Sequence, residues 1–150
     1  MKSFLLFNLF WLLSIDAVAE QQIKNFTDGS YEQIAKQYRN QSFVMVLWSL
    51  DCPPCYKELE LLASERKRDD FNLVLISTDG ADARTEVASV LKKYKLNDVD
   101  NWLFEDAFAH TLRYEIDPLW YGELPRSYLF NKKHQRQAVS GVLSAAQLVR

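Results

Sequence analysis

Cys52 and Cys55 are the only two cysteines of the chain, and they stand in a C-x-x-C arrangement. Two thiols at this spacing can cycle between a dithiol and a disulfide, so the pair could exchange disulfides with another protein. They lie where a strand-like stretch gives way to a helix-like one, and a helix N-terminus offers unpaired amides and a positive dipole end that stabilise a thiolate. We therefore predict that Cys52 is the nucleophile and that Cys55, one turn into the helix, resolves the mixed disulfide.

Other roles of the cysteine pair remain open at this point. The same two thiolates could bind Cu(I). A structural zinc site is harder to build, because it needs about four ligands and the chain adds only the widely separated His110 and His134. A purely structural disulfide would close a very short loop and remove little chain entropy. We predict no metal site and expect both histidines on the surface.

The elements that must position the cysteines form an alternation of strands and helices. Residues 43–48 and 71–77 are apolar runs typical of strands that are buried on both faces. Between them, residues 53–67 carry the buried stripe of a helix, with prolines only in its first turn, where they are tolerated. This order predicts a parallel β-α-β unit. Further helices are predicted at 31–39, 82–95, 106–114 and 144–150, and further strands at 102–104, 127–130 and 137–139, the last two as an antiparallel hairpin.

The N-terminal residues have the composition of a secretion signal. Lys2 provides positive charge, residues 4–13 are almost continuously apolar, and the run AVA (17–19) offers a cleavage site. We expect a signal peptide over 1–19 and one domain over 20–150, because the apolar stretch is short of the roughly 20 residues that span a bilayer. An uncleaved membrane anchor is the alternative. Either way the domain is expected in the periplasm or otherwise outside the cytoplasm, where free thiols are normally oxidised.

Composition narrows the classes of partner. The hydrophobic content of 48% is ordinary for a globular protein, and about 130 mature residues suit a single core. The formal net charge of -2 gives no general reason to expect nucleic acid or anionic lipid as a partner. We therefore expect no nucleic-acid partner.

The motif and its surroundings resemble the thioredoxin superfamily, and more narrowly its exported TlpA/ResA/CcmG-like branch of thiol:disulfide oxidoreductases. Trp48 stands four residues before Cys52, as in the family's W-x-x-x-C-x-x-C pattern, and CPPCYKE (52–58) resembles C-x-P-C-x-x-E. Residues 79–115 occupy the place of the branch's inserted strand and helix, and LPRSYLF (124–130) falls where the family carries a cis-proline before a strand. The resemblance implies the thioredoxin fold, an α/β fold with a central mixed β-sheet flanked by helices and a TlpA-like strand-helix insert.

The resemblance also implies roles for residues around the cysteines. Glu58 lies three residues after Cys55 on the same helical face, and could take or return the Cys55 proton if burial raises its pKa. Pro125 is expected to be cis and to bring the backbone of Leu124 against Cys52, where an extended client peptide can pair with it. These residues complete the predicted site.

Two positions depart from the family's pattern. Asp51 replaces the usual aromatic residue before the first cysteine, and Leu124 stands where a small or β-branched residue is common. Both are expected to face the client, and Trp48 is placed with them in the substrate-binding set. Trp120 and Tyr121, just before the proline, are expected either in the core or at the lip of the client groove.

Taken together, these features predict an exported thiol:disulfide oxidoreductase that reduces disulfides in extracytoplasmic client proteins. We expect no cofactor besides the redox-active pair Cys52 and Cys55, and a membrane thiol reductase as electron donor. The resemblance suggests cytochrome c maturation or metal-centre assembly as the setting. A Cu(I) metallochaperone and a binding module with a purely structural disulfide are the alternatives.

Overall fold

The structure, a computed structural model, describes residues 22–68, 71–106 and 110–148. The signal peptide predicted over 1–19 lies outside the described residues. No helix within the described ranges is long and apolar enough to cross a membrane. The helices are α1 (Ser30–Gln37), α2 (Pro53–Arg66), α3 (Arg84–Lys93), α4 (His110–Ile116) and α5 (Ala145–Leu148), and the strands are β1 (Lys24–Phe26), β2 (Phe43–Trp48), β3 (Leu73–Ser77), β4 (Asp100–Phe104), β5 (Arg126–Phe130) and β6 (Arg136–Ser140).

The strands form one mixed sheet in the order β1-β4-β3-β2-β5-β6. The four strands from β1 to β2 run parallel to one another. Strands β5 and β6 form an antiparallel hairpin, and β5 pairs antiparallel with β2. The predicted β-α-β unit around α2, the predicted hairpin and the mixed α/β sheet are therefore confirmed.

Strand β2, which leads into the cysteines, has the bounds predicted from its apolar run, and all six of its residues are buried. Because successive side chains of a strand point to opposite faces of the sheet, the strand contributes residues to two hydrophobic core layers, one on each face. One layer also contains residues of α2, α3 and α5, and the other contains residues of α1 and α4. Helices on both faces explain why the strand is apolar throughout. The first layer receives Val44, Val46 and Trp48, and the second receives Phe43, Met45 and Leu47.

The segment predicted as an insert lengthens the sheet beyond β3. Helix α3 leads into β4, which pairs parallel with β3, and β1 adds a further parallel strand outside β4. The helix predicted at 82–95 starts with a short 3-10 turn, Ala81–Ala83, before α3 begins. Strand β1 was not predicted, because three residues carry no usable alternation; it is stabilised by pairing and by burial of Phe26. Parts of two predicted helices, 107–109 and 149–150, lie outside the described residues.

Candidate redox site at the start of helix α2

The cysteine pair lies at the N-terminus of α2, directly after β2. Cys52 is the N-cap residue, with extended backbone angles (φ -114°, ψ 92°), and Cys55 lies in the first turn. A disulfide joins the two residues, whose Cα atoms are 5.3 Å apart. Cys52 retains 8% of its surface exposed, whereas Cys55 is fully buried. Cys52 is thus the cysteine that a partner can reach, which agrees with the role predicted for it.

The start of α2 offers few amide donors to the Cys52 sulfur. An N-cap side chain normally accepts hydrogen bonds from the N–H groups of the second and third helical residues. Pro53 and Pro54 occupy the first two helical positions and have no N–H. The N–H of Cys55 donates to the carbonyl of Cys52 (2.9 Å), and Cys52 makes no side-chain capping hydrogen bond. What remains to stabilise a Cys52 thiolate locally is mainly the positive end of the helix dipole.

Glu58, three residues after Cys55 in α2, is buried. Its side chain has no exposed surface. Ser127 Oγ of β5 donates to Oε1 (3.3 Å), and the N–H of Leu143 donates to Oε2 (2.8 Å). Burial raises the pKa of Glu58 above its ordinary value, and the two donated hydrogen bonds offset part of that rise. The carboxyl group therefore holds a proton at a higher pH than an exposed glutamate does.

The raised pKa of Glu58 predicts a pH-dependent loss of stability. Below the unfolded-state pKa the group is protonated in both states and contributes nothing. As pH rises from the unfolded-state pKa to the raised folded-state pKa, the unfolded chain ionises while the folded protein keeps its proton, so the folded state loses stability until the loss levels off above the folded-state pKa. Glu58→Gln keeps a neutral group that can accept from Leu143 N–H and donate to Ser127 Oγ. We expect oxidised Glu58→Gln to match the wild type at low pH and to become progressively more stable than it as pH rises.

Urea unfolding of the two oxidised proteins across the pH range would measure this difference. Glu60→Gln is the matched control, because Glu60 is an exposed glutamate two residues further along the same helix. Its stability difference from the wild type should not depend on pH in this way. A flat difference for Glu58→Gln as well would show that the Glu58 carboxyl does not carry a raised pKa.

The strand that pairs with β2 brings a proline toward the cysteines. The peptide bond between Leu124 and Pro125 is cis, the conformation expected from the sequence, and Pro125 is buried. The antiparallel register pairs Leu47 with Arg126, so its continuation sets Pro125 beside Trp48 at the end of β2. Leu124 is half-buried and packs against both core layers. The backbone before the proline therefore lies at the same end of the sheet as the cysteine pair.

Trp48 does not face a client. Its side chain has no exposed surface and belongs to the same core layer as Cys52 and Cys55. Because the strand alternates strictly, Trp48 follows Val46 into the interior, and we correct its role from client binding to core packing beneath the cysteines. Asp51, by contrast, is exposed directly before Cys52, where it can face a partner.

The two aromatic residues before the cis-proline separate into the two environments considered for them. Trp120 is buried in the layer formed with α1 and α4, and its indole N–H donates to the Glu123 carbonyl (2.8 Å). Tyr121 is 91% exposed. Trp120 therefore anchors the segment that leads to Pro125, while Tyr121 leaves an aromatic ring in solvent.

The two histidines occupy different environments. His110 is exposed at the start of α4, as expected. His134 is half-buried, because its ring makes edge contacts with Phe43 and Phe130 and its Nε2 lies 2.9 Å from the Tyr38 carbonyl oxygen. The expected surface position is therefore wrong for His134. Within the described residues, no group of three or more His, Cys, Asp or Glu side chains could hold a metal ion.

Sequence reasoning missed Asp79, which lies just after β3. Its Oδ1 accepts from Ser49 Oγ (2.9 Å), and its Oδ2 accepts from Leu50 N–H (3.1 Å) and Ser77 Oγ (2.6 Å). The Tyr56 hydroxyl of α2 donates to the Leu50 carbonyl (2.8 Å). The loop before Cys52 is thereby tied to β3 and to α2. A possible signal was a lone aspartate at the end of a strand adjacent to the one that precedes the cysteines.

Comparisons with known proteins identify the fold. No protein-family profile and no curated protein sequence matches the chain. Solved structures do match: a secreted disulfide oxidoreductase of Mycobacterium tuberculosis homologous to Escherichia coli DsbE is 17% identical over 75% of this chain and 81% of that one, with a TM-score of 0.58. StoA of Bacillus subtilis is 23% identical over 73% of this chain and 81% of its own, with a TM-score of 0.53.

A thiol:disulfide interchange protein of the thioredoxin family from Chlorobium tepidum is 16% identical over 76% of this chain and 79% of its own, with a TM-score of 0.58. The shared features are the mixed sheet with helices on both faces and, here, a C-x-x-C disulfide at the start of the helix that follows β2. On these grounds the chain has the thioredoxin fold, with the additional α3 and β4 that the sequence predicted as an insert.

Proposed function

We propose that the protein is a thiol:disulfide oxidoreductase that works outside the cytoplasm and reduces disulfides in client proteins. The observation that carries the proposal is the Cys52–Cys55 disulfide at the start of α2, with one cysteine reachable and the other covered. A purely structural disulfide does not require its two sulfurs to differ in exposure. Disulfide exchange does, because one sulfur must be accessible to the client while the other stays buried until it resolves the mixed disulfide. The secreted disulfide oxidoreductase among the similar structures supports the same assignment.

In the proposed reaction, reduced Cys52 acts first. Its thiolate attacks one sulfur of the client disulfide, the client S–S bond breaks, and the released client thiolate takes a proton from solvent. Glu58 then accepts the proton of Cys55, and the Cys55 thiolate attacks Cys52 Sγ. This step expels the second client sulfur as a thiolate, which takes a proton from solvent, and leaves the Cys52–Cys55 disulfide. Glu58 gives the Cys55 proton up to solvent, so the client has gained two electrons and two protons and the pair is oxidised.

The next cycle needs an external thiol donor to reduce the pair again. We assign this role to a membrane thiol reductase, because a dithiol in an oxidising compartment needs an electron source to return to its reduced form. The redox-active pair itself is then the only cofactor required. Cytochrome c maturation or metal-centre assembly is the setting that we propose for the clients, on the basis of the resemblance to the TlpA/ResA/CcmG-like branch.

The client is proposed to bind as an extended segment beside the cis-proline. Pro125 cannot donate a backbone hydrogen bond, so an extended client segment would pair with the backbone of Leu124 on its N-terminal side. The half-buried Leu124 side chain and the exposed Asp51 lie at this edge and would contact the client on either side of Cys52. Differences from the usual residues at these two positions would then set which clients are accepted.

The redox potential of the pair tests the direction of the reaction. A thiolate with few hydrogen-bond donors is less stabilised, and a less stabilised reduced form makes the pair more reducing. We expect equilibration with glutathione to place the pair near the roughly -270 mV of thioredoxin, well below the roughly -120 mV of a strong oxidant such as DsbA. A potential above about -180 mV, the poise of an isomerase, would sink the reductant assignment.

Pro54→Ala tests the physical reason for that potential. The substitution returns an N–H to the second helical position, from which an amide can reach the N-cap side chain. A hydrogen bond to a charged group contributes roughly 1.5–3 kcal/mol, so the potential should rise by about 30 to 60 mV. Pro53→Ala is the matched control, because an amide at the first helical position is poorly placed to cap, and its shift should be smaller.

A further inference from the structure

The loop from β2 to α2 is held by several hydrogen bonds, some within the loop and some to Asp79. Besides its bonds to Asp79, Ser49 Oγ accepts from Asp51 N–H (3.2 Å), and the Cys52 N–H donates to the Ser49 carbonyl (3.3 Å). The two carboxylate oxygens of Asp79 therefore hold the side chain of Ser49 and the backbone of Leu50, the first two residues of this loop. One acidic side chain thus accepts hydrogen bonds from two consecutive residues of the loop.

We propose that Asp79 is a positioning residue for the nucleophile: by fixing the Ser49 and Leu50 turn, it holds Cys52 on the N-terminal end of α2. Its effect on catalysis rests on the function proposed above, whereas its effect on the loop and on the Cys52 thiol does not. Asp79 touches neither sulfur in the hydrogen-bond network, so it acts through the loop.

The stability of the Cys52 thiolate depends more on its position here than it would in a helix whose N-terminal amides are free to bind it. Because Pro53 and Pro54 supply no amides and the Cys55 amide is taken by a carbonyl, the dipole end of α2 is the main local stabiliser of the thiolate. That stabilisation falls off within the first turn of a helix, so a displaced sulfur loses it. Without Asp79, the half-buried Leu50 amide loses its acceptor, and the loop can take other conformations.

The negative charge of Asp79 destabilises a Cys52 thiolate, whereas its hydrogen bonds stabilise the thiolate by positioning it. Two variants separate these effects. Asp79→Asn removes the charge but can keep the network, since its Oδ1 can accept from Leu50 N–H and its Nδ2 can donate to Ser49 Oγ, whose hydroxyl is free to turn. Asp79→Ala removes both charge and network. The positioning role therefore predicts that the Cys52 thiol of the Asn variant reacts at least as fast as that of the wild type, and that the Ala variant reacts more slowly than either.

The experiment measures the rate at which iodoacetamide alkylates Cys52 in the reduced proteins as a function of pH, and hydrogen exchange at the Leu50 amide by NMR. We expect alkylation of Asp79→Ala at neutral pH to be about tenfold slower than that of Asp79→Asn, since misplacing a reacting group by about 1 Å can cost up to 10²-fold. Exchange at Leu50 should be faster in the Ala variant and unchanged in the Asn variant. Asp82→Ala is the matched control, an exposed aspartate three residues further on, and should behave as the wild type.

Two results would overturn the proposal. Equal alkylation rates for Asp79→Ala and Asp79→Asn would mean that only the charge matters, and unchanged Leu50 exchange in Asp79→Ala would mean that the loop does not depend on the carboxylate. If Asp79→Ala does not fold, Ser49→Ala removes one of the three contacts and should shift both readouts in the same direction by less. Neither alkylation nor hydrogen exchange involves a client. Both measurements therefore test the role of Asp79 even if the protein does not reduce client disulfides.

Discussion

Replacing Cys52 by serine is expected to abolish disulfide exchange, because Cys52 carries the only sulfur of the pair that a client can reach. Cys55→Ser is expected to keep the first step and stop there, because the mixed disulfide on Cys52 then has no thiol behind it to resolve it. Insulin reduction measures the loss of turnover in both variants. Non-reducing electrophoresis and mass spectrometry of extracytoplasmic extracts measure the mixed disulfides, which should accumulate only with Cys55→Ser, and would identify the clients.

The order of the two cysteines can be checked without a client. Alkylation of the reduced wild-type protein at neutral pH should label Cys52 first, since Cys55 is fully buried. Faster labelling of Cys55 would reverse the assignment. Copper that remains bound after purification under reducing conditions, together with no insulin reduction, would instead favour the Cu(I)-binding alternative.

Glu58→Gln is expected to slow the resolving step by about 10²-fold, within the usual range for the loss of a general base. The raised pKa of the buried Glu58 carboxyl allows it to hold the Cys55 proton and to return it in the reverse direction. The amide of the variant can keep both hydrogen bonds, so folding and the first attack by Cys52 should be retained. Stopped-flow measurement of mixed-disulfide decay against pH separates the resolving step from the first.

The control for this rate measurement is again Glu60→Gln, which changes the same charge on the exposed side of α2. It should leave both steps as they are in the wild type. If Glu58→Gln resolves mixed disulfides at the wild-type rate from about pH 5 to 9, the range that brackets carboxyl and thiol titration, Glu58 is a buried structural acid and not a proton carrier.

The parts of the fold that were predicted from the sequence are those with long, regular patterns. Strand β2 carries an unbroken apolar run and helix α2 a periodic stripe, and their predicted bounds agree with the structure to within a residue. Strand β1 has three residues and exists only because β4 lies beside it, so local pattern could not reveal it. The start of α3 was misplaced because a 3-10 turn, Ala81–Ala83, precedes the α-helix, as is frequent at helix N-termini.

Site features that depend on residues close together in the sequence were predicted. Features that depend on contacts between residues far apart in the sequence were not. The cysteine spacing identified the pair. Trp48 was placed with the client-binding residues next to the cysteine motif, although strand alternation takes its ring into the core with Val46. The burial of Glu58 comes from Ser127 and Leu143, which lie 69 and 85 residues away. Asp79 reaches Ser49 and Leu50 across 30 and 29 residues, so its role depends on strand order and not on spacing.

The contact between Glu58 and the Leu143 N–H also orders events during biosynthesis. Both cysteines leave the ribosome long before Leu143, so a nascent chain can carry the complete C-x-x-C motif while Glu58 is still hydrated and titrates as an ordinary glutamate. The carboxyl becomes buried only after β5 has supplied Ser127 and the segment beyond β6 has closed over it. The part of the site proposed to handle protons would therefore be the last to mature, and a chain interrupted before Leu143 would present both cysteines without a buried Glu58.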